Sequence, residues 1–231
     1  MFWALSVAAV ANERHFTTIY ETDVLPAGTA EIEPWTTIKG DGAGGLDFAH
    51  RLEFEGALTN DLQTALYIKF SGSSTGFDYD GIASEWKLNL LSRAEKPIGL
   101  ALYGEVKLEP TAEAGELKLL VDAMSDNVIV AANLVGEVGR SHAAGATEME
   151  VVEEVLGAVA WRTTPTTSLG IEAKQELVLI DGEFDEIELA VGPSASWASS
   201  GWWVATTVPL VLPLEGGSIS PSWRTIFGFH F

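Results

Sequence analysis

The stretch SWRTIFGFHF, Ser222–Phe231, decides how the rest of the sequence is read. In an extended chain Trp223, Thr225, Phe227, Phe229 and Phe231 share one side, and Arg224 faces the other. A face that rich in aromatic rings needs an apolar environment, which either a protein core or a lipid bilayer can supply. Which of the two it meets governs everything upstream.

The same period of two recurs along the chain. In LDFAHRLEFEGAL, Leu46–Leu58, one face carries Leu46, Phe48, His50, Leu52 and Phe54, and the other carries Asp47, Arg51, Glu53 and Glu55. IGLALYGEVKL, from Ile98, sets Leu100, Leu102 and Val106 against Glu105 and Lys107. TTSLGIEAKQEL, from Thr166, sets Leu169 and Ile171 against Glu172, Lys174 and Glu176. No stretch of similar length carries helical spacing, so the chain is read as all-β. Tight breaks at Thr59–Asp61, Arg93–Pro97, Ser125–Asn127, Thr163–Thr166 and Ser199–Gly201 hold the Asn, Asp, Pro and Gly that hairpin turns require. Looser breaks at Gly40–Gly45, Gly72–Asp80, Glu109–Gly115, Gly139–Thr147, Asp181–Asp185 and Leu214–Ser220 alternate with them. The segments between breaks number about twelve, each about ten residues long, the length of a tilted membrane-spanning strand.

Composition narrows the function classes. The 231 residues hold 33 acidic and 13 basic side chains, a net charge of −20 that repels nucleic-acid phosphates. Mean hydropathy is nonetheless +0.17. Charged and apolar residues are therefore both abundant and kept on separate faces. The absence of cysteine rules out disulfides, thiolate metal sites and a cysteine nucleophile. No apolar run approaches the roughly 20 residues of a membrane helix.

At the start of the chain, Phe2–Val10 is apolar and ends in Ala9-Val10-Ala11 before Asn12 and Glu13. We read residues 1–11 as the remnant of a secretory signal cleaved after Ala11; an ordinary apolar segment is the competing reading. Residues 12–28 precede the first strand and form either an extra strand or a segment that packs at the trim end or enters the barrel. Residues 29–231 are one barrel, without domain boundaries.

Alternation alone also fits a secreted, soluble all-β binding protein, with the charged face in water. Four features favour the membrane: the aromatic final strand, the short/long rhythm of connections, an even strand count, and tryptophans within or at the ends of strands. Trp35, Trp86, Trp161, Trp197, Trp202, Trp203 and Trp223 are expected to form interfacial girdles.

A last strand with Phe227, Phe229 and a final Phe231 resembles the assembly signal read by the barrel-insertion machinery of Gram-negative bacteria. LPAGTAEIEPWTTIKG, Leu25–Gly40, and FAHRLEFEGALTNDLQTALYI, Phe48–Ile68, resemble the opening hairpins of an uncharacterised, porin-like family of outer-membrane β-barrels. The resemblance implies a transmembrane antiparallel up-and-down barrel with short periplasmic turns and longer outer loops. It implies export through the periplasm to the outer membrane. The partners it implies are outer-membrane lipid, lipopolysaccharide and, during biogenesis, the insertion machinery. It implies no catalytic residues and no cofactor.

In that barrel the charged face lines the lumen. The candidates are Glu31, Glu33, Asp47, Arg51, Glu53, Glu55, Lys69, Glu85, Lys87, Glu105, Lys107, Glu172, Lys174, Glu176 and Arg224. Acid and base recur two apart, as in Glu85/Lys87, Glu105/Lys107 and Glu172/Lys174, so salt-bridge ladders across strands are expected. Twelve strands fall between a side-chain-filled barrel and an open pore. The excess of carboxylates points to a small cation-preferring passive channel if water passes through. A closed lumen, with function in the outer loops, is the alternative.

Enzyme chemistry finds little support. Ser141, His142 and Glu148 share a loop region, but a triad is defined by geometry, not by neighbours in sequence. GDGAGG, Gly40–Gly45, has no Lys-Ser/Thr and opens no helix, so it is not a phosphate loop. The acidic stretches FDYDG, Phe77–Gly81, and DGEFDE, Asp181–Glu186, are read as hydrated loops without calcium-hand spacing, and no metal site is expected. Glu153, Gln175 and Pro34 fall on the apolar face, which suggests a bulge near Glu153–Glu154.

Overall fold

The computed structural model describes residues 14–40, 45–73, 76–142 and 147–231. The signal reading of residues 1–11, the start of the segment at Asn12–Glu13, most of the Gly40–Gly45 loop and part of the Gly139–Thr147 loop fall outside them. The period-two segments become strands: β1 (Ala30–Gly40), β2 (Leu46–Ala57), β3 (Leu62–Ser73), β4 (Gly76–Leu91), β5 (Ile98–Glu109), β6 (Ala112–Met124), β7 (Val128–Ser141), β8 (Glu148–Thr164), β9 (Thr167–Ile180), β10 (Glu183–Ser199), β11 (Trp202–Thr207), β12 (Leu210–Pro213) and β13 (Ser220–His230). From β1 to β11 each is antiparallel to the next, β13 is antiparallel to both β11 and β12, and β1 pairs with β13 through Trp35↔Ile226 and Thr36↔Thr225, closing the sheet. Backbone bonds between Ala30 and Phe231 complete the seam, 3.0 and 3.3 Å long.

β11 and β12 both lie between β10 and β13. They are one spanning strand interrupted at Val208-Pro209, where proline cannot donate to the ladder. Gly192 on β10 accommodates the break, since a Cβ there would collide with the Pro209 backbone. Thirteen elements thus give twelve spanning strands.

The two faces settle the solvent. The outward side chains are apolar all round the barrel: Leu66 is 63 % exposed, Leu117 72 % and Ile171 55 %, while their inward neighbours Ala65, Glu116 and Glu172 are buried. Exposed apolar area costs about 25 cal/mol per Å² in water, so a belt this continuous excludes a soluble sandwich. Aromatic rings edge the belt at both ends. Trp161, Trp197, Phe54, Phe229 and Phe231 lie toward the Thr59–Asp61 end, and Phe48, Phe70, Phe77 and Tyr79 toward the other. Phe54 and Phe231 touch across the seam, with centroids 5.9 Å apart.

Several expectations are corrected. Trp35 and Trp203 do not belong to the girdles: they are 8 % and 1 % exposed and point inward. The short/long rhythm is weaker than expected, because Pro110-Thr111 and Asp181-Gly182 are two-residue turns. Positive φ at Asp181 and Gly182, 52° and 81°, fits the hairpin turn whose twist matches the strands. The strands themselves run on at that end, reaching 17 residues in β8 and β10. FDYDG therefore lies within β4 and most of DGEFDE within β10. Glu153 faces outward in an unbroken register, opposite Gly136 and Leu177; the irregularities fall at Lys69/Phe70, Asn89/Leu91, Arg162/Thr164 and Phe184/Glu186.

Candidate functional site

The inside of the barrel is not empty. Residues 14–25 enter it from the Thr59–Asp61 end, and Arg14, His15, Phe16, Thr17, Ile19, Tyr20, Glu21, Thr22 and Leu25 are buried there. The wall holds this segment largely by its backbone. Glu172 on β9 accepts the N–H groups of Thr17 and Thr18, at 3.0 and 2.7 Å. The Asn133 amide on β7 accepts from the Tyr20 N–H at 2.8 Å and donates to its carbonyl at 2.9 Å. Asp122 on β6 accepts from the Thr22 N–H, Asn89 on β4 donates to the Thr22 carbonyl, and Gln63 on β3 accepts from the Leu25 N–H, each at 2.8 Å. Most of these backbone groups are buried and would otherwise be stranded without a partner.

Side chains complete the fit. Phe16 and Ile19 pack on Ile129, Ala131, Leu156 and Ala158, an apolar stripe on the inner face of β7 and β8. Tyr20 lies against Trp35 and Tyr103, with centroids 6.4 and 5.0 Å away. Gly99 is required beneath the segment, because a Cβ there would run into the Thr22 hydroxyl and the Asp122 carboxylate. At the mouth, Arg93 from the β4–β5 turn contacts Glu21 at 3.3 Å, Asp122 at 3.5 Å and Asp23. His15 bonds back to Glu21 through its N–H at 2.9 Å and its ring at 3.1 Å, closing the segment into a loop. Burial alone would raise the Glu21 carboxyl, but the His15 ring and the Arg93 guanidinium outweigh it and hold it at about 2. Arg93 is in turn pushed above its ordinary value, burial being overcome by Glu21 and Asp23.

Beside the segment stands a wall of carboxylates on β1, β2, β4 and β5. Glu31, Glu33, Glu53, Glu55, Glu85 and Glu105 are all buried. Arg51 is inserted among them between the rings of Trp35 and Tyr67, 3.9 and 4.1 Å from their centroids, and pairs with Glu53 and, at 3.8 Å, Glu85. Arg14 reaches Glu33 at 3.4 Å, and Tyr103 donates to Glu85 at 2.6 Å. Glu31, Glu33 and Glu55 can each present an oxygen within 4.8 Å of the others, as can Glu53, Glu55 and Glu85. These are the groups with metal-ligand convergence among the described residues, and Arg14 and Arg51 already supply positive charge there.

The remaining lumen candidates lie farther up or at the rims. Lys107 joins Glu105 at 3.6 Å, Glu116 at 3.2 Å and Glu137; Lys174 joins Glu154 at 3.2 Å and Glu176 at 2.6 Å; Lys69 joins Glu109. Lys87 is buried opposite Gln63, and Arg224 donates to the Thr37 hydroxyl at 3.1 Å. Asp47 is exposed at the far rim, paired in register with Lys39. The three acid–base pairs spaced two apart behave differently. Glu105/Lys107 is in contact, whereas Glu85 turns to Arg51 and Tyr103, and Glu172 to the segment. His142 meets Glu113 at 3.3 Å and Thr147 at 3.5 Å. Gln63, Asn89, Asp122, Asn133 and Arg93 were not singled out from the sequence. For Gln63, Asn89 and Asn133 the available signal was an amide side chain on the inward register of a strand.

Residues 8–221 match the family of unknown function DUF6662. The chain belongs to that family. No curated protein sequence is similar to it at a significant level. Among solved structures, the KdgM porin in complex with disordered oligogalacturonate is 11 % identical, with a TM-score of 0.61 over 87 % of this chain and 99 % of that one. The NanC porin is 8 % identical, with a TM-score of 0.62 over 86 % and 98 %. The β-domain of the Bordetella autotransporter BrkA is also 8 % identical, with a TM-score of 0.57 over 89 % and 100 %. At such identities the likeness concerns the fold. The DUF6662 chain is thus a 12-stranded barrel of the outer-membrane type, and its apolar belt embeds it in that membrane.

Proposed function

We propose that this protein is a non-enzymatic outer-membrane channel for small cations whose lower lumen is occluded by its own residues 14–25. The observation that carries this reading is the lining. Eight glutamates of the strands are buried inside, Glu31, Glu33, Glu53, Glu55, Glu85, Glu105, Glu116 and Glu172, and they outnumber the basic side chains set among them. Rings of carboxylate in a narrow, low-dielectric passage concentrate cations and repel anions. The segment fills the part of the passage where that lining is densest. Above Thr18 a polar cavity of about 170 Å³, bordered by Lys39, Glu172, Lys174, Glu176 and Arg224, leaves the upper lumen roomier. The depth of the segment favours a second reading, a permanently closed barrel that works through its outer rim. In either reading the belt contacts outer-membrane lipid and lipopolysaccharide, and outward-facing Phe227, Phe229 and Phe231 serve recognition by the insertion machinery.

Selectivity is the test. In a planar bilayer under a KCl gradient, protein lacking residues 14–24 is expected to reverse on the cation side. Neutralising the upper lumen with Glu116→Gln and Glu137→Gln should move the reversal potential toward zero. A reversal on the anion side removes the cation reading.

A further inference from the structure

The bonds that hold residues 14–25 are an unusual set for a plug. Five wall side chains, Gln63, Asn89, Asp122, Asn133 and Glu172, bond to backbone N–H or C=O groups of the segment. They read the main chain of a looped segment, bent at residues 15, 17–19 and 22, and not a particular sequence. Sequence preference comes from elsewhere. The β7–β8 stripe of Ile129, Ala131, Leu156 and Ala158 takes two apolar side chains three apart, Phe16 and Ile19. The Tyr20 ring has the Lys118 ammonium 4.5 Å from its centroid, and its hydroxyl accepts from Arg51 at 3.0 Å. Arg93 selects the acidic side chains that follow, Glu21 and Asp23. The link to β1, Pro26–Gly28, is exposed, so the wall contacts hold the segment within the lumen.

We propose that the lower lumen is a recognition site for a short looped polypeptide segment, filled in cis by residues 14–25, and that it accepts a segment of the same pattern in trans. The class of ligand is a peptide able to take the same looped course, carrying two apolar residues three apart, an aromatic next, and acidic residues after it. Exchange of the resident segment for such a peptide would couple lumen occupancy to a partner chain. The proposal rests on the occlusion described above but not on ion conduction.

The test uses the whole chain. A protease site inserted in the exposed Pro26–Gly28 turn is cut after folding, and barrel integrity is followed by SDS-resistant migration. The probe is a fluorescently labelled peptide of Arg14–Leu25, RHFTTIYETDVL. Saturable uptake of the probe, weakened about tenfold or more by Ile19→Asp in the peptide, is the expected result, since burying that side chain is what the stripe supplies. Uptake no greater than that of a scrambled peptide overturns the proposal. Should cutting destroy the barrel, the uncut chain carrying Arg93→Gln is used. There the mouth contact is weakened, and probe uptake must again exceed the scrambled control or the proposal falls. Binding is read without current, so a silent barrel leaves this result independent of the channel reading.

Discussion

Glu21 shows how a single residue ties the segment to the mouth of the barrel. Its carboxyl is held at about 2 by His15 and Arg93 against the pull of burial. A carboxylate with a depressed value stabilises the folded state fully above its ordinary value, near 4.5, and that contribution drains away as pH falls toward 2. The size is about 3 kcal/mol from a shift of this extent. Glu21→Gln should therefore lower the midpoint of thermal unfolding at neutral pH, and the gap from the parent should close between about pH 4.5 and 2. A gap that persists unchanged at pH 2 would mean the carboxylate charge is not what holds the segment. Residue parity was legible here in part: Trp35 shares its side of β1 with Glu31 and Glu33, so its inward direction could be read from spacing alone. The partners of Glu21 could not, because Arg93 lies 72 positions away and is brought near only when β4 and β5 turn back at the mouth.

At the level of elements, alternation carried the fold. In β2, β5 and β9 buried or half-buried charged side chains alternate with exposed apolar ones, because a strand whose two faces differ this sharply tolerates only one register. The turns are less legible in the sequence. The Asp181-Gly182 hairpin looked like the start of a loop because acidic residues follow it, yet they continue as β10 beyond the apolar belt. The place of the segment before β1 does not follow from the sequence, for a physical reason. Its bonds reach up to 155 positions along the chain, and no local pattern encodes a lumen that exists only after closure. Gly99 offers a check on that element. Replacing it with valine must displace the segment at Thr22, because the wall has no room for a Cβ. Limited proteolysis should then cut residues 14–25 in Gly99→Val at a protease dose that leaves the parent intact. Equal protection in both would show that the segment does not run over Gly99.

For the whole molecule, the inside-out distribution of polarity is the governing fact. Carboxylates and arginines are buried in the interior while leucines, valines and aromatics face out, which only a bilayer can reconcile. The seam between β1 and β13 is where closure is decided, and Phe231 sits on it, bonded to Ala30 and touching Phe54. Phe231→Ala should reduce the yield of SDS-resistant barrel in cells while leaving refolding in detergent nearly unchanged, because the ring is 70 % exposed and contributes little to packing. Equal loss in both settings would assign the ring to stability and not to assembly.

The central claim is an acidic passage shut by its own leading segment. Single-channel recording of the full chain beside the chain lacking residues 14–24, both verified as SDS-resistant barrels, tests it most directly. The expected result is a full chain that is silent or opens rarely, and a shortened chain with stepwise, cation-selective openings. Equal conductance in the two would contradict the occlusion, and silence in both would contradict the channel.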